Sequence, residues 1–356
     1  MPLRVMLWPD TERRLKIYYG IDTIEELEDI LGVDSGYHTV DRTMPEGWRP
    51  SWDYVDFCDS TGYYHPEYEY AEFEEWGVER RPGAYHGNSA IRQYIFTRHP
   101  WQHATTPKEI EALPLPDLDI SRFAEVAKEV RDEKESHLII GSARYLWMRG
   151  VILRGMLTYL EDLYTRPSLV EAMMDKLHAY TCQMVDTYMD LGCDGIQIAE
   201  DLGTNHGPFF SPEIFRKYFK PRYADLADRV KKRGGFFFFH GCGNLTPLVG
   251  DLVDVGVDLM HPLQPACMDQ LEIKKLYGDK ITIATGVSSQ QTLPFGTVED
   301  VRREAMFKLK HLAPGGGLVF GNSHFAMYEV PIKNVIALYE VCREYGKYPI
   351  DIPDIE

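Results

Sequence analysis

Residues 236 to 243, FFFFHGCG, form the most informative segment of this chain. Four consecutive phenylalanines are too apolar for an exposed strand, and two side chains that can bind metals, His240 and Cys242, follow them. Strands that are apolar on nearly every residue are typical of parallel sheets covered on both faces. The segment therefore predicts a buried parallel strand with polar side chains at its carboxyl end.

The same arrangement recurs along the second half of the chain. From about residue 166, helical patterns alternate with short apolar runs, so that five strand–helix units follow one another. This alternation predicts a parallel α/β fold. The five runs are CDGIQIAED, FFFFHGCG, VDLMHPLQP, ITIATGVSS and LVFGNSH.

Residues that favour helix starts occur between these predicted strands. Pro167 is expected to begin a long helix, and Ser211 is expected to cap the next one. Pro221 lies inside that second helix, where a proline is expected to introduce a kink. Thr246 is expected to cap a short helix after FFFFHGCG.

The polar residues after each run favour a closed barrel over an open doubly wound sheet. Polar groups that converge from many strand ends are a feature of the (β/α)8 barrel, and no G-x-G-x-x-G follows an early strand. We therefore predict a (β/α)8 TIM barrel, an α/β fold, with an N-terminal helical and irregular extension. The strand-end residues are Glu200, Asp201, His240, Cys242, His261, Gln264, Thr285, Ser288, Asn322 and His324.

The first third of the chain has a different pattern. Residues 1–135 are rich in aromatic and acidic side chains, and we expect them to form an extension packed on the barrel within the same domain. This extension could also hold the first barrel strand. Residues 136–350 are expected to form the barrel core with the metal site, beginning with LIIGSARYLWMRG from residue 138, and 351–356 a tail.

The composition argues against a nucleic-acid-binding protein, a membrane protein and a disulfide-rich protein. The formal net charge is −17 and no run of Lys or Arg occurs, which argues against nucleic acid as a partner. No stretch approaches the length of a membrane span, and the apolar N-terminal patch is too short for a signal peptide. The six cysteines are spread along the chain, which is not the pattern of a disulfide framework. We expect a cytoplasmic protein that acts on neither membrane nor nucleic acid.

His240 and Cys242 are candidate metal ligands. In a strand, residues i and i+2 share a face, and an imidazole with a thiolate suits Zn(II). The pair alone is a weak signal, since a buried histidine beside an inert cysteine is the alternative. His324, at a later strand end, is a natural third ligand, and Glu200 or Asp201 could be a further ligand or a supporting carboxylate. Three protein ligands with an open fourth position define a catalytic zinc.

From about Arg13 to Tyr348 the chain resembles the uroporphyrinogen decarboxylase superfamily. The resemblance covers most of the chain. Its motifs are AEDLGTNHGPFFSPEIF, FFFFHGCGNLTPLV, GVDLMHPLQP, MDQLEIKKLYGDKITIATGVSSQQTLPFGT and PGGGLVFGNSHFAMYEVPIKN.

This superfamily contains cofactor-free decarboxylases and zinc methyltransferases that work with corrinoid proteins. The arginine-rich R-Q-A-G-R motif of the decarboxylases is absent here. The methyltransferases bind zinc with a His-x-Cys pair, which His240 and Cys242 match, and a later Cys. Counted back from Pro331, that later position falls on His324, a departure that puts activation of coenzyme M in doubt. The chain has no D-x-H-x-x-G corrinoid motif, so the resemblance implies a corrinoid supplied by a partner protein.

The favoured function is O-demethylation, in which a methyl group moves from a small methoxylated, aromatic substrate to the cobalt of a corrinoid protein. His240, Cys242, His324 and Asp201 are the expected catalytic residues. The proposed aromatic wall of the pocket comprises Trp52, Tyr54, Phe57, Tyr63, Tyr64, Trp76, Tyr85 and Trp147, for which ordinary packing is the alternative. Other candidate substrate-binding residues are Tyr145, Asn205, His206, His261, Gln264 and Asn322.

Three alternatives stay open at this point. Methyl transfer could run from a methylated corrinoid protein to a thiol or another acceptor. The chain could be a metal-free lyase similar to uroporphyrinogen decarboxylase, or a non-catalytic binding module on a barrel scaffold. Whether two copies form a homodimer is also open.

Overall fold

The computed structural model describes residues 1–33, 37–42, 75–82 and 94–353. Eight of its strands form one parallel sheet, and two others form a separate antiparallel hairpin. In chain order the strands are β1 Leu3–Arg4, β2 Tyr37–Val40, β3 Glu79–Pro82, β4 Tyr94–Arg98, β5 Leu138–Arg144, β6 Gly195–Ala199, β7 Phe236–His240, β8 Leu259–His261, β9 Thr282–Val287 and β10 Leu318–Asn322.

The order of the strands identifies the architecture. The main sheet runs β1-β10-β9-β8-β7-β6-β5-β2, and the hairpin is β3-β4. Each strand of the main sheet from β5 to β10 therefore lies beside the next one in the chain, and the last strand lies beside the first. This is the order of a (β/α)8 barrel, whereas an open doubly wound sheet would reverse its order at a switch point. The predicted barrel fold is confirmed.

The helices lie between these strands and cover the sheet. Two further short segments are 3-10 helices, Ile120–Phe123 and Thr246–Leu248, and Phe215–Phe219 is a π-helix. The α-helices are α1 Pro9–Tyr19, α2 Ile24–Leu31, α3 Pro107–Ala112, α4 Ala124–Glu133, α5 Leu146–Arg154, α6 Met156–Thr165, α7 Pro167–Asp190, α8 Pro212–Ile214, α9 Lys220–Lys231, α10 Val249–Asp254, α11 Gln270–Tyr277, α12 Thr292–Phe295, α13 Val298–Leu312 and α14 Ile332–Tyr345.

The phenylalanines of β7 alternate between the two faces of the sheet, and they are buried as predicted except for the first, Phe236, which is 43% exposed. Phe238 belongs to a small buried cluster with Ile140, Leu259 and Ala284, contributed by neighbouring strands. Phe237 and Phe239 belong instead to the large core between the sheet and the helices. Because side chains alternate along a strand, His240 shares its face with Phe238 and points into the barrel.

The N-terminal segment contributes two strands to the main sheet, β1 and β2. Between them lie α1 and α2, where a helical element was expected, and the second is capped by Thr23 and Glu26. Arg14 joins this segment to the C-terminal region, since its Nη2 atom donates to the carbonyl of Tyr328 at 2.7 Å. The first strand of the chain, β1, thus pairs with the last one, β10.

The predicted helix starts are correct except for one. Pro167 occupies the first turn of α7, and the Ser211 hydroxyl accepts a hydrogen bond from the Ile214 amide at 3.4 Å. The kink expected at Pro221 stays a prediction. A π-helix, Phe215–Phe219, ends two residues before that proline, which lies in the first turn of α9. The Thr246 prediction was wrong: its hydroxyl caps no helix, and a 3-10 turn begins there instead.

Two compositional expectations can be compared with the described residues. Within them, every helix is either too short or too polar to cross a lipid bilayer. The described cysteines, Cys182, Cys193, Cys242, Cys267 and Cys342, form no disulfide. The remaining cysteine, Cys58, lies outside the described residues.

Candidate functional site

Three predicted metal ligands converge at the carboxyl end of the barrel. One potential ligand atom from each of His240, Cys242 and His324 lies within 4.8 Å of the other two. His240 ends β7, and His324 follows the end of β10. Cys242 was expected to continue the strand, but β7 stops at His240 and the cysteine lies in the following loop. Its Sγ atom nevertheless lies 3.9 Å from His240 Nε2.

Neighbouring residues fix the loop that carries Cys242. The Cys242 amide donates to Asp201 Oδ1 at 2.9 Å, and the Gly243 amide donates to Gln264 Oε1. Gly243 has φ +98°, and a Cβ atom there would lie 2.4 Å from the backbone of Gly203. Only glycine fits this position without displacing the chain. The glycine after the cysteine therefore has a structural reason that the sequence alone did not reveal.

His240 and His261 form a pair inside the barrel. Their Nδ1 atoms lie 2.8 Å apart, so one ring must donate the shared proton and the other accept it. If His240 donates, its Nε2 keeps a free lone pair on the side of Cys242 and Asp201. His261, predicted to bind substrate, thus lies where it can set the tautomer of His240.

Both histidines are electrically neutral near pH 7. Burial lowers the pKa of His240 to about 4, although the nearby Asp201 carboxylate opposes this effect. Burial also lowers the pKa of His261 well below its usual range. Neutral imidazole is the form that binds a metal ion.

His324 is held by its backbone. Ser289 Oγ donates to the His324 carbonyl at 2.8 Å and accepts from its amide at 3.0 Å. The Phe325 amide donates to His324 Nδ1 at 2.8 Å, so the neutral ring carries its proton on Nε2. A metal ion bound by this ring would have to replace either that hydrogen bond or that proton. Neither Ser289 nor Phe325 carried a recognisable signal in the sequence.

The two adjacent carboxylates, Glu200 and Asp201, have different surroundings. Glu200 is fully buried, and its oxygens accept hydrogen bonds from the Trp147 amide at 2.9 Å, the Met148 amide at 2.7 Å and the Tyr223 hydroxyl at 3.1 Å. It therefore caps the start of α5. Asp201 is 45% exposed, and its Oδ1 atom lies 3.9 Å from His240 Nε2. Of the two, Asp201 is the one that adjoins the three candidate ligands.

Gln264 and Asn322 organise backbone near the candidate ligands. Gln264 accepts from the Gly243 amide, as described above. Asn322 Nδ2 donates to the carbonyls of Met6 and His324, at 2.6 Å in each case. Its Oδ1 accepts from the Tyr339 hydroxyl at 2.7 Å. Asn322 therefore connects the segment that follows β1, the last helix and the His324 loop.

The remaining predicted pocket residues lie elsewhere. Tyr145 is fully buried, and its hydroxyl contacts His178 of α7. Trp147 stacks on Phe209, with ring centroids 5.2 Å apart, and is also buried. Two further predicted residues, Asn205 and His206, are exposed on a loop.

Of the proposed aromatic wall, the structure describes Trp76 and Trp147. Trp76 packs edge-on against Tyr180 of α7, with ring centroids 5.0 Å apart, and the Arg149 guanidinium lies 4.3 Å from its ring centroid. Trp76 thus takes part in packing near the helices. Outside the described residues lie Trp52, Tyr54, Phe57, Tyr63, Tyr64 and Tyr85.

The donor atoms at the barrel mouth fit a zinc ion. Zn(II) prefers nitrogen and sulfur ligands in a tetrahedral arrangement, and two imidazoles with one thiol provide three of them. Burial raises the pKa of the Cys242 thiol, and the Asp201 carboxylate raises it further. Without a metal this cysteine is therefore a neutral thiol, and metal binding would release its proton.

Comparisons with known proteins agree on the family and the fold. The family model described as Uroporphyrinogen decarboxylase (URO-D) matches residues 98–345. The solved structure of a methyltransferase from Methanosarcina mazei covers 97% of this chain and 100% of its own, with a TM-score of 0.61 and 19% identity. That likeness supports the barrel fold.

Two curated relatives are methylcobamide:CoM methyltransferases MtaA from Methanosarcina barkeri, one of them from strain Fusaro. Each is 24% identical to this chain over 184 residues. The alignment covers 51% of this chain and 50% of each relative. The chain thus spans about half the length of the curated relatives it matches.

Proposed function

Because the chain belongs to the uroporphyrinogen decarboxylase family, we propose that it is a methyltransferase of the zinc- and corrinoid-dependent branch. The observation that carries this proposal is the convergence of His240, Cys242 and His324 at the carboxyl end of the barrel. Catalytic residues of barrel enzymes lie at that end.

The proposed reaction is O-demethylation. A methyl group leaves a methoxylated substrate, for which an aromatic ether is our first choice, and is accepted by the cobalt of a corrinoid protein. When bound, zinc would act as a Lewis acid on the ether oxygen, whose departure as an alkoxide or phenoxide is the chemical obstacle. In this proposal the corrinoid is carried by a partner protein.

The third ligand favours activation of an oxygen. Two neutral imidazoles and one thiolate would leave a zinc ion with a net charge of about +1, whereas a second thiolate would neutralise it. A more positive metal is a stronger Lewis acid. His324, in place of the cysteine of related methyltransferases, therefore suits an ether oxygen that must leave as an anion.

The residues of the chain prepare this site before any substrate enters. In the tautomer that we propose, His261 would accept the Nδ1 proton of His240, which leaves the Nε2 lone pair of His240 to face the metal position. Asp201 positions the loop through the Cys242 amide and places negative charge beside the ligands. Buried side chains of β7 and its neighbours keep the floor of the site apolar, which strengthens electrostatic interactions above it.

A second candidate is transfer in the opposite direction. The curated relatives are named as methyltransferases that act between a methylcobamide and CoM, which supports methyl transfer from a methylated corrinoid protein to a thiol. In that case the same ligands would hold a zinc ion that lowers the pKa of the thiol. The two candidates share the metal and the corrinoid partner and differ in the small substrate.

The first experiment is the metal content of protein purified without added metal, with Cys242→Ala and Cys267→Ala beside it. Cys267 is a half-buried cysteine whose Sγ lies 3.7 Å from the Gln264 carbonyl, so its variant is a matched control. We expect zinc to be lost from the barrel mouth in Cys242→Ala and kept in Cys267→Ala. Equal zinc in all three proteins would contradict the assigned ligands.

The second experiment supplies the partner. Reduced corrinoid protein is mixed with methoxylated arenes, and methylated corrinoid protein is mixed with thiols. Formation of methylcobalt with loss of the methoxy group supports O-demethylation. Methylation of a thiol alone would favour the second candidate, and no transfer in either mixture would contradict methyltransferase activity.

A further inference from the structure

A second cluster of metal-binding side chains lies on the helical layer outside the barrel. It consists of His178 and Cys182 of α7 and Asp225 of α9. One ligand atom from each lies within 4.8 Å of the other two. None of the three takes part in the proposed methyl transfer. The sequence alone did not predict that they lie close together.

The spacing along each helix produces this cluster. His178 and Cys182 are four residues apart and therefore lie on the same face of α7. Asp225 belongs to the facing side of α9. Since α7 precedes β6 and α9 precedes β7, the three side chains bridge two consecutive strand–helix units of the barrel.

Two of the three distances between the ligand atoms match those around one metal ion, and the third is shorter. His178 Nε2 lies 3.0 Å from Asp225 Oδ2, Cys182 Sγ lies 3.5 Å from His178 Nε2, and Sγ lies 3.6 Å from Asp225 Oδ2. In a tetrahedral zinc site with ordinary bond lengths, nitrogen, oxygen and sulfur ligands are separated by about 3.3 to 3.6 Å. One ion could therefore contact all three atoms with little movement.

A buried tyrosine can orient the histidine. The Tyr145 hydroxyl contacts His178 Nδ1, and Tyr145 itself is fully buried and fixed. When Nδ1 donates its proton to this hydroxyl, Nε2 presents its lone pair to Cys182 and Asp225. Metal-binding histidines commonly use the second nitrogen in this way.

The charges around the cluster allow a divalent ion. Arg229 Nε now donates to Asp225 Oδ2 at 2.8 Å, but its Nη1 also lies 3.0 Å from Asp186 Oδ2. Arg229 can therefore release Asp225 and keep an acidic partner. A divalent cation with one thiolate and one carboxylate is neutral, so the exchange leaves no uncompensated buried charge.

Solvent can deliver the ion. The side chains of His178 and Asp225 are 19% and 43% exposed, whereas Cys182 is buried. Burial also raises the pKa of Cys182 to about 12, so the metal-free residue is a thiol. On binding, the sulfur–hydrogen bond would break, a sulfur–metal bond would form and the proton would leave to solvent.

We propose that His178, Cys182 and Asp225 form a second metal site that takes Zn(II) and fastens α7 to α9. The fourth position is open to water. The expected effect of this site is on the packing of α7 against α9. With three protein ligands and an open fourth position, it differs from the usual structural zinc site, which has four protein ligands. It does not depend on the proposed methyltransferase function.

The test is a Co(II) titration of protein in which Cys242→Ala has removed the barrel-mouth thiolate. Co(II) replaces Zn(II) at thiolate sites and gives near-ultraviolet absorption from the sulfur–cobalt bond. We expect about one cobalt ion per chain with this absorption. Adding Cys182→Ser should abolish it, and adding Cys193→Ser, which changes another buried cysteine beyond the end of α7, should not.

Each outcome decides the proposal. Absence of the absorption in Cys242→Ala, or its survival in Cys242→Ala/Cys182→Ser, would overturn it and leave a hydrogen-bonded contact between helices. If Cys182→Ser prevents folding, Asp225→Asn in the same background replaces it, with the expected loss of cobalt binding. The single variant Cys182→Ser should still bind zinc at the barrel mouth, so failure of one site is distinguishable from failure of the other.

Discussion

The Nδ1 atoms of His240 and His261 face each other at 2.8 Å, so a single proton is shared between a half-buried ring and a buried one. Since both side chains are neutral near pH 7, the position of that proton determines which nitrogen of His240 can bind a metal. We therefore expect His261 to affect metal binding at the candidate site through the tautomer of His240.

We expect His261→Phe to weaken zinc binding at the barrel mouth. The change removes the acceptor of the His240 proton, and loss of such a partner typically lowers metal affinity by about 10- to 100-fold. Competition with a chromophoric chelator, in a Cys182→Ser background, measures the effect. The exposed His311 of α13 provides the control variant His311→Phe. Equal affinity in His261→Phe and wild type would show that His261 does not set the tautomer.

Zinc affinity at the barrel mouth should rise with pH. The pKa of Cys242 is raised and that of His240 is lowered to about 4, so between pH 6 and 8 binding releases the thiol proton and none from His240. One released proton corresponds to a gain in affinity of about tenfold per pH unit. Chelator competition at three pH values in the Cys182→Ser background measures the slope. An affinity that rises about a hundredfold per pH unit would correspond to two released protons and would show that a ligand histidine is charged before zinc binds.

Glu200 should make stability depend on pH. Burial raises its pKa from its ordinary value to about 8, so the folded chain retains a proton that the unfolded chain releases. Its contribution is therefore fully present below about pH 4.5 and is lost as pH rises toward 8, by at most about 1.4 kcal/mol per pH unit. Urea unfolding of wild type and Glu200→Gln at pH 5.5 and 8 tests this. The difference in free energy of unfolding between wild type and Glu200→Gln should decrease as the pH rises. An increase in this difference would contradict the raised pKa of Glu200.

Gly243→Ala should disrupt the Cys242 loop while leaving the barrel folded. The left-handed backbone costs a residue with a Cβ about 1–2 kcal/mol, and here the Cβ would also overlap the backbone of Gly203. Gly234 is the matched control, since it has φ +75° and a Cβ added there would have no atom within 4 Å. Zinc content and urea unfolding are measured for both variants. Retention of zinc in Gly243→Ala would show that the loop geometry is not required.

His324→Cys should keep zinc and lose much of the reaction with a methoxylated substrate. The added thiolate neutralises the metal and weakens it as a Lewis acid, for which we expect roughly a tenfold lower rate. His324→Ala should lose zinc affinity instead. Metal analysis and single-turnover formation of methylcobalt separate the two effects. An unchanged rate in His324→Cys would remove the argument for an ether oxygen.

The sequence was sufficient to locate those strands whose signal lies in consecutive residues. Continuous apolar runs located β5 to β10, because each run is buried on both faces and ends in polar residues. β1 and β2 were not located, because two to four residues in an irregular segment show no periodicity. Their pairing depends on contacts with strands far along the chain, as between Leu3 and Phe320.

The sequence predicted which residues belong to the candidate site but not how they are arranged in space. His240, Cys242 and His324 were chosen from strand ends, and the structure brings them together. The sequence could not separate Glu200 from Asp201, because which of two adjacent carboxylates caps a helix depends on tertiary packing. The cluster at His178 was hidden for the same reason, since Asp225 joins it only when α7 and α9 meet.

The Asn322 side chain holds the carbonyls of Met6 and His324 with one amide group. Met6 and His324 are far apart in the sequence but share this one anchor, so the position of the candidate ligand His324 depends on the segment that follows β1. Substitutions that displace this segment are therefore expected to change metal affinity at the barrel mouth before they change the stability of the core.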